Sequence, residues 1–293
     1  MTAAAVLSAP ASTSPTWRRF REAFRRHPTA IVGGVVLTAM VFIAVFAPWL
    51  GTVDPQALSP IQRLRQPSSE HWFGTDMLGR DVYSRVIYGA RISLTVGIAV
   101  ALLSIAIGLA IGMVTGFIRW VDAVMMRVMD GLMSIPSVLL AIALMALTKA
   151  SVGNVIVAIT LAEVPRVVRL VRGLVLSLRE QPYVEAAIAA GTNLPLILLR
   201  HILPNTVAPL LVQGTYIFAS AMIVEAILSF IGAGTPPNIP SWGNIMAEGR
   251  SLFQLANYLI FFPGIFLSLA VLSVNLLGDG LRDALDPRLA RNM

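Results

Sequence analysis

Side chains able to do chemistry are few in this 293-residue chain, and they stand far apart. Cysteine is absent, which removes disulfides, thiolate metal sites and a cysteine nucleophile together. The only lysine, Lys149, follows Leu147-Thr148, so no Gly-x-x-x-x-Gly-Lys phosphate loop exists. His27, His71 and His201 lie in separate segments without a His-Glu-x-x-His pattern, and no Gly-x-Ser-x-Gly elbow occurs. A membrane-embedded hydrolase needs a nucleophile and a base, and no such pair is visible. Any work driven by ATP needs its phosphate loop on a separate chain.

What remains is a short set of charged and hinge residues. Glu185-Ala186-Ala187 precedes Gly191, and Leu203-Pro204 lies twelve residues beyond that glycine. Pro182–Ala190 favours a short helix that Pro182 opens and Gly191 stops. A second short helix fits Pro195–His201, before Pro204. Two short helices on a glycine hinge make a rigid knob, against the plainer reading of a loop lying on lipid headgroups. Asp76, Arg80 and Asp81 precede a long apolar run, where they either contact an outside protein or fix a turn. Glu225 stands among apolar residues, sharing a helical face with Thr215 and Met222, which Ser229 continues. A carboxylate at the centre of a spanning helix costs roughly 2.5–3.5 kcal/mol, so Glu225 faces a pathway or bonds within the bundle. Arg127 and Asp130, like Glu163 and Arg166, are three residues apart and suit helical ion pairs.

Composition places these residues in a membrane. The chain is 56% hydrophobic and 13% charged, where a soluble domain carries about 25% charged residues. Its mean hydropathy is +0.77. Uncharged runs cover Thr29–Leu50, Ile92–Ile118, Gly131–Thr148, Thr206–Val224 and Ser251–Gly278, the last able to start as late as Tyr258. About 20 residues cross a bilayer. The first run exceeds a signal-peptide core of about 7–15 residues, so it reads as a retained span. Residues 2–16, rich in Ala, Ser, Thr and Pro, read as a disordered tail. Ala150–Ala162 is apolar but short, and Glu163, Pro165, Arg166 and Arg169 follow it at once.

Arginine placement decides the span count. The net charge of +7 comes from basic residues flanking apolar runs, the pattern of membrane topology rather than of nucleic-acid binding. With six spans and an internal N-terminus, Arg166, Arg169, Arg172, Arg179 and Arg200 fall inside; dropping the short span would turn all five outward. Arg166, Arg169 and Arg172 then stripe one helix face near the inner surface, where they can snorkel. The sequence therefore predicts an all-α integral membrane protein of six transmembrane helices with both termini cytoplasmic. Its parts are a tail over 1–28, a first span over 29–50, a periplasmic segment over 51–91, a five-span core over 92–280 and a C-terminal tail over 281–293. The core contains the knob segment 180–204 and an outer loop 231–257, whose Gly232, Gly234, Pro236, Pro237 and Pro240 favour irregular backbone. Gly97, Gly108, Gly112, Gly116 and Pro136 mark close helix packing more readily than solute contact.

The Glu185-Ala186-Ala187, Gly191 and Leu203-Pro204 spacing resembles the EAA motif of ABC-importer permeases. Other stretches resemble the dipeptide/oligopeptide (and nickel) permease family, in its C-type second subunit. They are His71-Trp72-Phe73-Gly74-Thr75-Asp76 with Gly79-Arg80-Asp81, and Tyr88-Gly89-Ala90-Arg91-Ile92-Ser93-Leu94. Glu225, Leu228-Ser229-Phe230, Gly232, Pro236-Pro237, Trp242-Gly243 and Gly278-Asp279-Gly280-Leu281-Arg282-Asp283-Ala284-Leu285-Asp286-Pro287 extend the likeness, which covers about residues 17–290.

The resemblance implies an ABC type I importer transmembrane-domain fold in the bacterial inner membrane. It implies a second, homologous permease subunit, two ATPase subunits (or one bound twice) and an extracytoplasmic solute-binding protein. ATP and magnesium would be bound by the ATPases, leaving this chain without a cofactor, a metal or a catalytic residue. Glu185, Ala186, Ala187, Gly191, Leu203 and Pro204 would dock the ATPase; Glu225, Met222 and Ser229 are candidates for the solute pathway. Asp76, Arg80, Asp81 and Trp242 are candidates for contact with the binding protein. The expected cargo is peptides, with nickel chelates, opines or oligosaccharide-like solutes as alternatives. A passive channel or a membrane enzyme would work without ATPase subunits.

Overall fold

A computed structural model describes residues 28–285; the N-terminal tail and the last residues from Asp286 lie outside the described residues. Ten α-helices are described: α1 Pro28–Val45, α2 Val82–Phe117, α3 Arg119–Met133, α4 Ser137–Ala146, α5 Val152–Leu178, α6 Pro182–Ala189, α7 Leu194–Ile197, α8 Leu203–Phe230, α9 Trp242–Gly249 and α10 Tyr258–Leu285. Among the described residues the only β-type pairing is an isolated bridge between Thr75 and Asp81. Four helices are long and apolar enough to cross a membrane: α1, α2, the continuous stretch Leu194–Phe230 and α10.

Two expected spans take a different form. The run Gly131–Thr148 is not one helix, because α3 and α4 meet at a bend of 88°. Pro136 stands at the break, as the cap of α4, where a helix interior would lose a hydrogen bond. The stretch expected as a fourth span forms a helix longer than its apolar part, since α5 runs 27 residues to Leu178, about 40 Å. It is not among the helices apolar enough to count as a crossing. Its charges do not end the helix because they are paired. Glu163 takes Arg166 at 2.8 Å, Arg169 meets Asp130 at 2.7 Å, and Arg172 grips Asp122 through two bonds. The expected pair of Arg127 with Asp130 is therefore replaced by a bond between α3 and α5. Arg169 and Arg172 bind acids of α3 rather than reaching for headgroups.

Glycines set how the long helices pack. A methyl on Gly108 would fall 2.5 Å from Val167 Cβ, one on Gly112 2.6 Å from Val171 Cβ, and one on Gly116 2.5 Å from Val175 Cβ. The contacts advance together in fours, so α2 and α5 run parallel in close contact. Gly97 against Met222 and Gly214 against Ile105 run in opposite orders, making α8 antiparallel to α2. Gly33 near Ser273 and Gly280 near Ala30 make α10 antiparallel to α1. One buried cluster joins α2, α4, α5 and α8 through Val100, Ala141, Ile159, Val167, Val171 and Ile217. A second, at the start of α2, gathers Val82, Val86, Trp242, Ile245 and Leu259.

Candidate functional site

The knob forms where the residues called for it. α6 ends in a Schellman turn: Gly191 N donates to Ile188 O at 2.9 Å and Thr192 N to Ala187 O at 3.0 Å. Gly191 has a φ of +75°, the left-handed region where a side chain is strained. The two helices are rooted by Val184, Ile197 and Ile202, all buried in the cluster that holds α2, α5 and α8. Glu185, Ala186 and Gly191 are exposed, as is Pro204, while Ala187 and Leu203 are half-buried. Around them Ile188, Leu196 and Leu199 expose half or more of their apolar surface. Rather than restarting at Pro204, the chain passes from α7 through a π-helical turn, Leu198–Ile202, directly into α8. Arg179 Nη1 donates to Gly116 O at 3.1 Å, tying the knob's entrance to the last turn of α2, a favourable end for a cation.

The outer charged residues are turned inward. Asp76 is fully buried and accepts from Leu78 N at 2.8 Å, Arg80 N at 2.9 Å, Arg80 Nε at 2.6 Å and Arg85 Nη1 at 2.6 Å. Arg80 and Arg85 then reach Glu248 of α9, with Arg80 Nη2 2.8 Å from Oε2 and Arg85 Nη2 2.9 Å from Oε1. Asp81 caps α2, accepting from Ser84 N at 2.8 Å. Trp242 is also buried and donates its indole N–H to Val86 O at 3.0 Å. Asp76 and Trp242 thus offer no surface, and Arg80 little. Together these residues clamp segment 51–81 and α9 onto the head of α2. Arg85 and Glu248 complete the clamp, and sequence reading missed both. Their common signal, a cation one helical turn after Asp81 and an acid in the outer loop, is too weak alone.

Glu225, Met222 and Ser229 are likewise buried within the chain. Ser229 Oγ donates to Glu225 Oε1 at 2.8 Å, and Ser93 Oγ of α2 lies 3.3 Å from Oε2. Met222 fills the gap at Gly97. From Ser229 the bonds continue to Thr235, whose N–H donates to Ser229 Oγ at 3.2 Å. Asn244 Nδ2 then holds the loop by bonds to Thr235 O, Pro236 O and Ile239 O. This network supports Glu225 as the anchor of the outer loop.

Comparison with known proteins follows this geometry. Residues 104–291 match the family described as binding-protein-dependent transport system inner membrane component. The chain belongs to that family. Residues 15–67 of this permease also match the N-terminal transmembrane domain of oligopeptide transport permease C. It is 54% identical over 267 residues to a probable peptide ABC transporter permease of Sinorhizobium fredii, covering 91% of each chain. It is 41% identical to a dipeptide transport system permease of Alkalihalophilus pseudofirmus, over 93% of this chain and 90% of that one. A glutathione transport system permease of Pectobacterium atrosepticum is 40% identical, over 95% and 93%. Among solved structures, the MetNI methionine ABC transporter in an inward-facing conformation matches with a TM-score of 0.56 at 20% identity. That match covers 71% of the permease and 95% of the other chain, and shows the fold.

Proposed function

We propose that this permease is one of two homologous membrane subunits of an ATP-driven importer of di- or oligopeptides. On this reading it crosses the inner membrane six times, with both termini in the cytoplasm. The crossings are α1, α2, the bent pair α3–α4, α5, α7–α8 and α10. Helix direction supports the count: α2 and α5 run parallel, so the chain between them must cross back, and α3–α4 lies there. The knob carries the functional reading. It presents Glu185, Ala186 and Gly191 beside the exposed apolar Ile188, Leu196 and Leu199, while Val184 and Ile197 root it in the core. That form suits a groove on an ATPase subunit.

Two ATPase subunits, or one bound twice, supply ATP and magnesium chemistry, and a solute-binding protein delivers cargo from outside. The permease contributes the pathway and no catalytic residue. Relatives named for peptides, dipeptides and glutathione support a peptide-like cargo. The test is purification of the tagged chain from its own membranes, followed by reconstitution with the binding protein. Expected are co-purifying ATPase and second permease, and uptake of labelled dipeptide that requires ATP. A chain that purifies alone and conducts without ATP overturns the reading. Uptake of nickel chelates, opines or oligosaccharides in place of peptides overturns the cargo alone.

A further inference from the structure

α5 carries an ion pair far from either membrane surface. Val167 packs on Gly108, near the middle of the uncharged run Ile92–Ile118 of α2, so Glu163 and Arg166 lie at mid-depth. The pair is lopsided: the Glu163 side chain is 1% exposed and that of Arg166 51%. Arg166 Nη1 donates to Glu163 Oε2 at 2.8 Å, and Ser220 Oγ of α8 lies 3.3 Å from Glu163 Oε1. The anion is thus fixed inside the chain and the cation faces out. Ionisable groups at such depth face protein or a watery cavity rather than lipid.

The same face is polar on α8. Gln213, Tyr216 and Ser220 follow one another at helical spacing, and Tyr216 Oη donates to Asp279 Oδ1 of α10 at 2.8 Å. Below Arg166 this face opens into a groove of about 370 Å³ lined by Leu170, Val212, Gln213, Tyr216 and Arg282. Ala208, Pro209 and Leu285 complete a mainly apolar lining, and at mid-depth the outward charge beside it is the positive one of Arg166.

We propose that Arg166, oriented by Glu163 and Ser220, engages the free carboxylate of the cargo as it passes the middle of the membrane. This rests on the importer reading and narrows it to solutes bearing a carboxylate. A planar guanidinium with one edge tied to Glu163 still offers donors in a fork that matches a carboxylate. The bond to Glu163 keeps the cation from being held too tightly to release its ligand.

The chain has no native cysteine, so Leu170→Cys, one helical turn after Arg166 and lining the groove, gives a single reporter. The assembled importer is treated with the anionic sulfonatoethyl or the cationic trimethylammonioethyl methanethiosulfonate, and labelling is read by mass on this chain. The anionic reagent should react about tenfold faster than the cationic one, through attraction by the nearby cation. Adding Arg166→Gln should abolish that preference, and Arg166→Lys should keep most of it. Leu102→Cys, exposed on α2 with no charged neighbour in its run, should react with neither. Dialanine uptake should fall severalfold in Arg166→Gln. A Leu170→Cys as inert as Leu102→Cys overturns the proposal, as does equal reaction with both reagents. So does uptake unchanged in Arg166→Gln. If Leu170→Cys fails to assemble, Val212→Cys reads the same groove with the same outcomes. Anionic preference in an importer that takes no peptide leaves the Arg166 site standing and removes the peptide reading instead.

Discussion

Asp76→Asn tests whether the outer clamp is an energetic unit. The wild-type cluster is neutral, with Asp76 and Glu248 against Arg80 and Arg85. Asn keeps the shape and can still accept from Leu78 N and Arg80 N through its oxygen, but its amide nitrogen replaces the oxygen that accepts from Arg80 Nε and Arg85 Nη1, so charge and two hydrogen bonds are lost together. It leaves two guanidinium groups facing one carboxylate, with the Arg85 side chain only 1% exposed. Breaking a buried pair from one side costs about 3–5 kcal/mol, because the remaining charge stays buried without compensation. At 1.4 kcal/mol per factor of ten, local opening becomes roughly 100- to several-thousand-fold more frequent. Hydrogen exchange by mass spectrometry reads it directly. Peptides spanning 74–82 and 242–249 should exchange faster by about that factor, since exchange follows local opening, while 96–112 should be unchanged. Asp76→Asn combined with Arg80→Gln restores neutrality and should recover much of the protection. Less than about tenfold acceleration in the single variant, or none recovered in the double, refutes the argument that charge balance holds the clamp.

Four further outcomes follow. Gly191→Ala, with open space around its Cβ but a left-handed backbone, should cost about 1–2 kcal/mol locally; Gly191→Pro also removes the bond to Ile188 O and should uncouple ATP hydrolysis from uptake while the chain stays inserted, which co-purification and transport assays check. Gly112→Leu should separate α2 from α5, because even a methyl would lie 2.6 Å from Val171 Cβ; the expected result is loss of folded protein in detergent gel filtration, and a normal profile counts against the packing. Glu225→Gln should leave uptake of every cargo unchanged and loosen the outer loop slightly, read by exchange over 231–241; impaired uptake with normal assembly would return Glu225 to the pathway. Reporter fusions after Arg179 and after Trp242 should give inside and outside signals respectively, and a periplasmic signal at Arg179 ends the six-crossing reading.

Legibility in the sequence followed how local each feature is. The knob was readable because Pro182, Gly191 and the short runs on either side of that glycine act through their own backbone. Its rooting by Val184 and Ile197 was not, since burial there depends on distant helices. The glycines of α2 announced close packing, and their spacing of four matched valines on α5 that only the fold brings opposite. Charges misled most. Arg169 and Arg172 looked like headgroup contacts because their acids, Asp130 and Asp122, sit on another helix across a bend that apolar counting does not see. Asp76 stayed open between an outside contact and a turn, because Arg85 and Glu248, which complete its cluster, come from later segments. Glu225 was open between a pathway and bonding within the bundle; Ser229 was already visible on its helical face, whereas Ser93, on another helix, is indistinguishable in sequence from an ordinary helix serine.

The distribution of bonds bears on how the proposed importer would transmit force. α6 follows α5 after three residues, and α7 runs through a π-helical turn into α8 without a break. The knob is therefore joined in the chain to two long helices at once. Those helices are cross-tied at mid-depth by Ser220 and Glu163. α2 is locked to α5 along its glycine stripe and linked to α8 by Ser93 and Glu225. A displacement of the knob cannot be absorbed within these three helices without breaking close packing, which resists continuous deformation. It must be taken up where this bundle meets its neighbours, at the antiparallel α1–α10 contact or at the surface bearing Arg166. The outer clamp fixes the far end, because Trp242, Asp76 and Glu248 bind α9 to the head of α2. In the proposed importer, motion driven from the knob would tilt the three helices as a body about their clamped end, with its largest travel at the groove below Arg166.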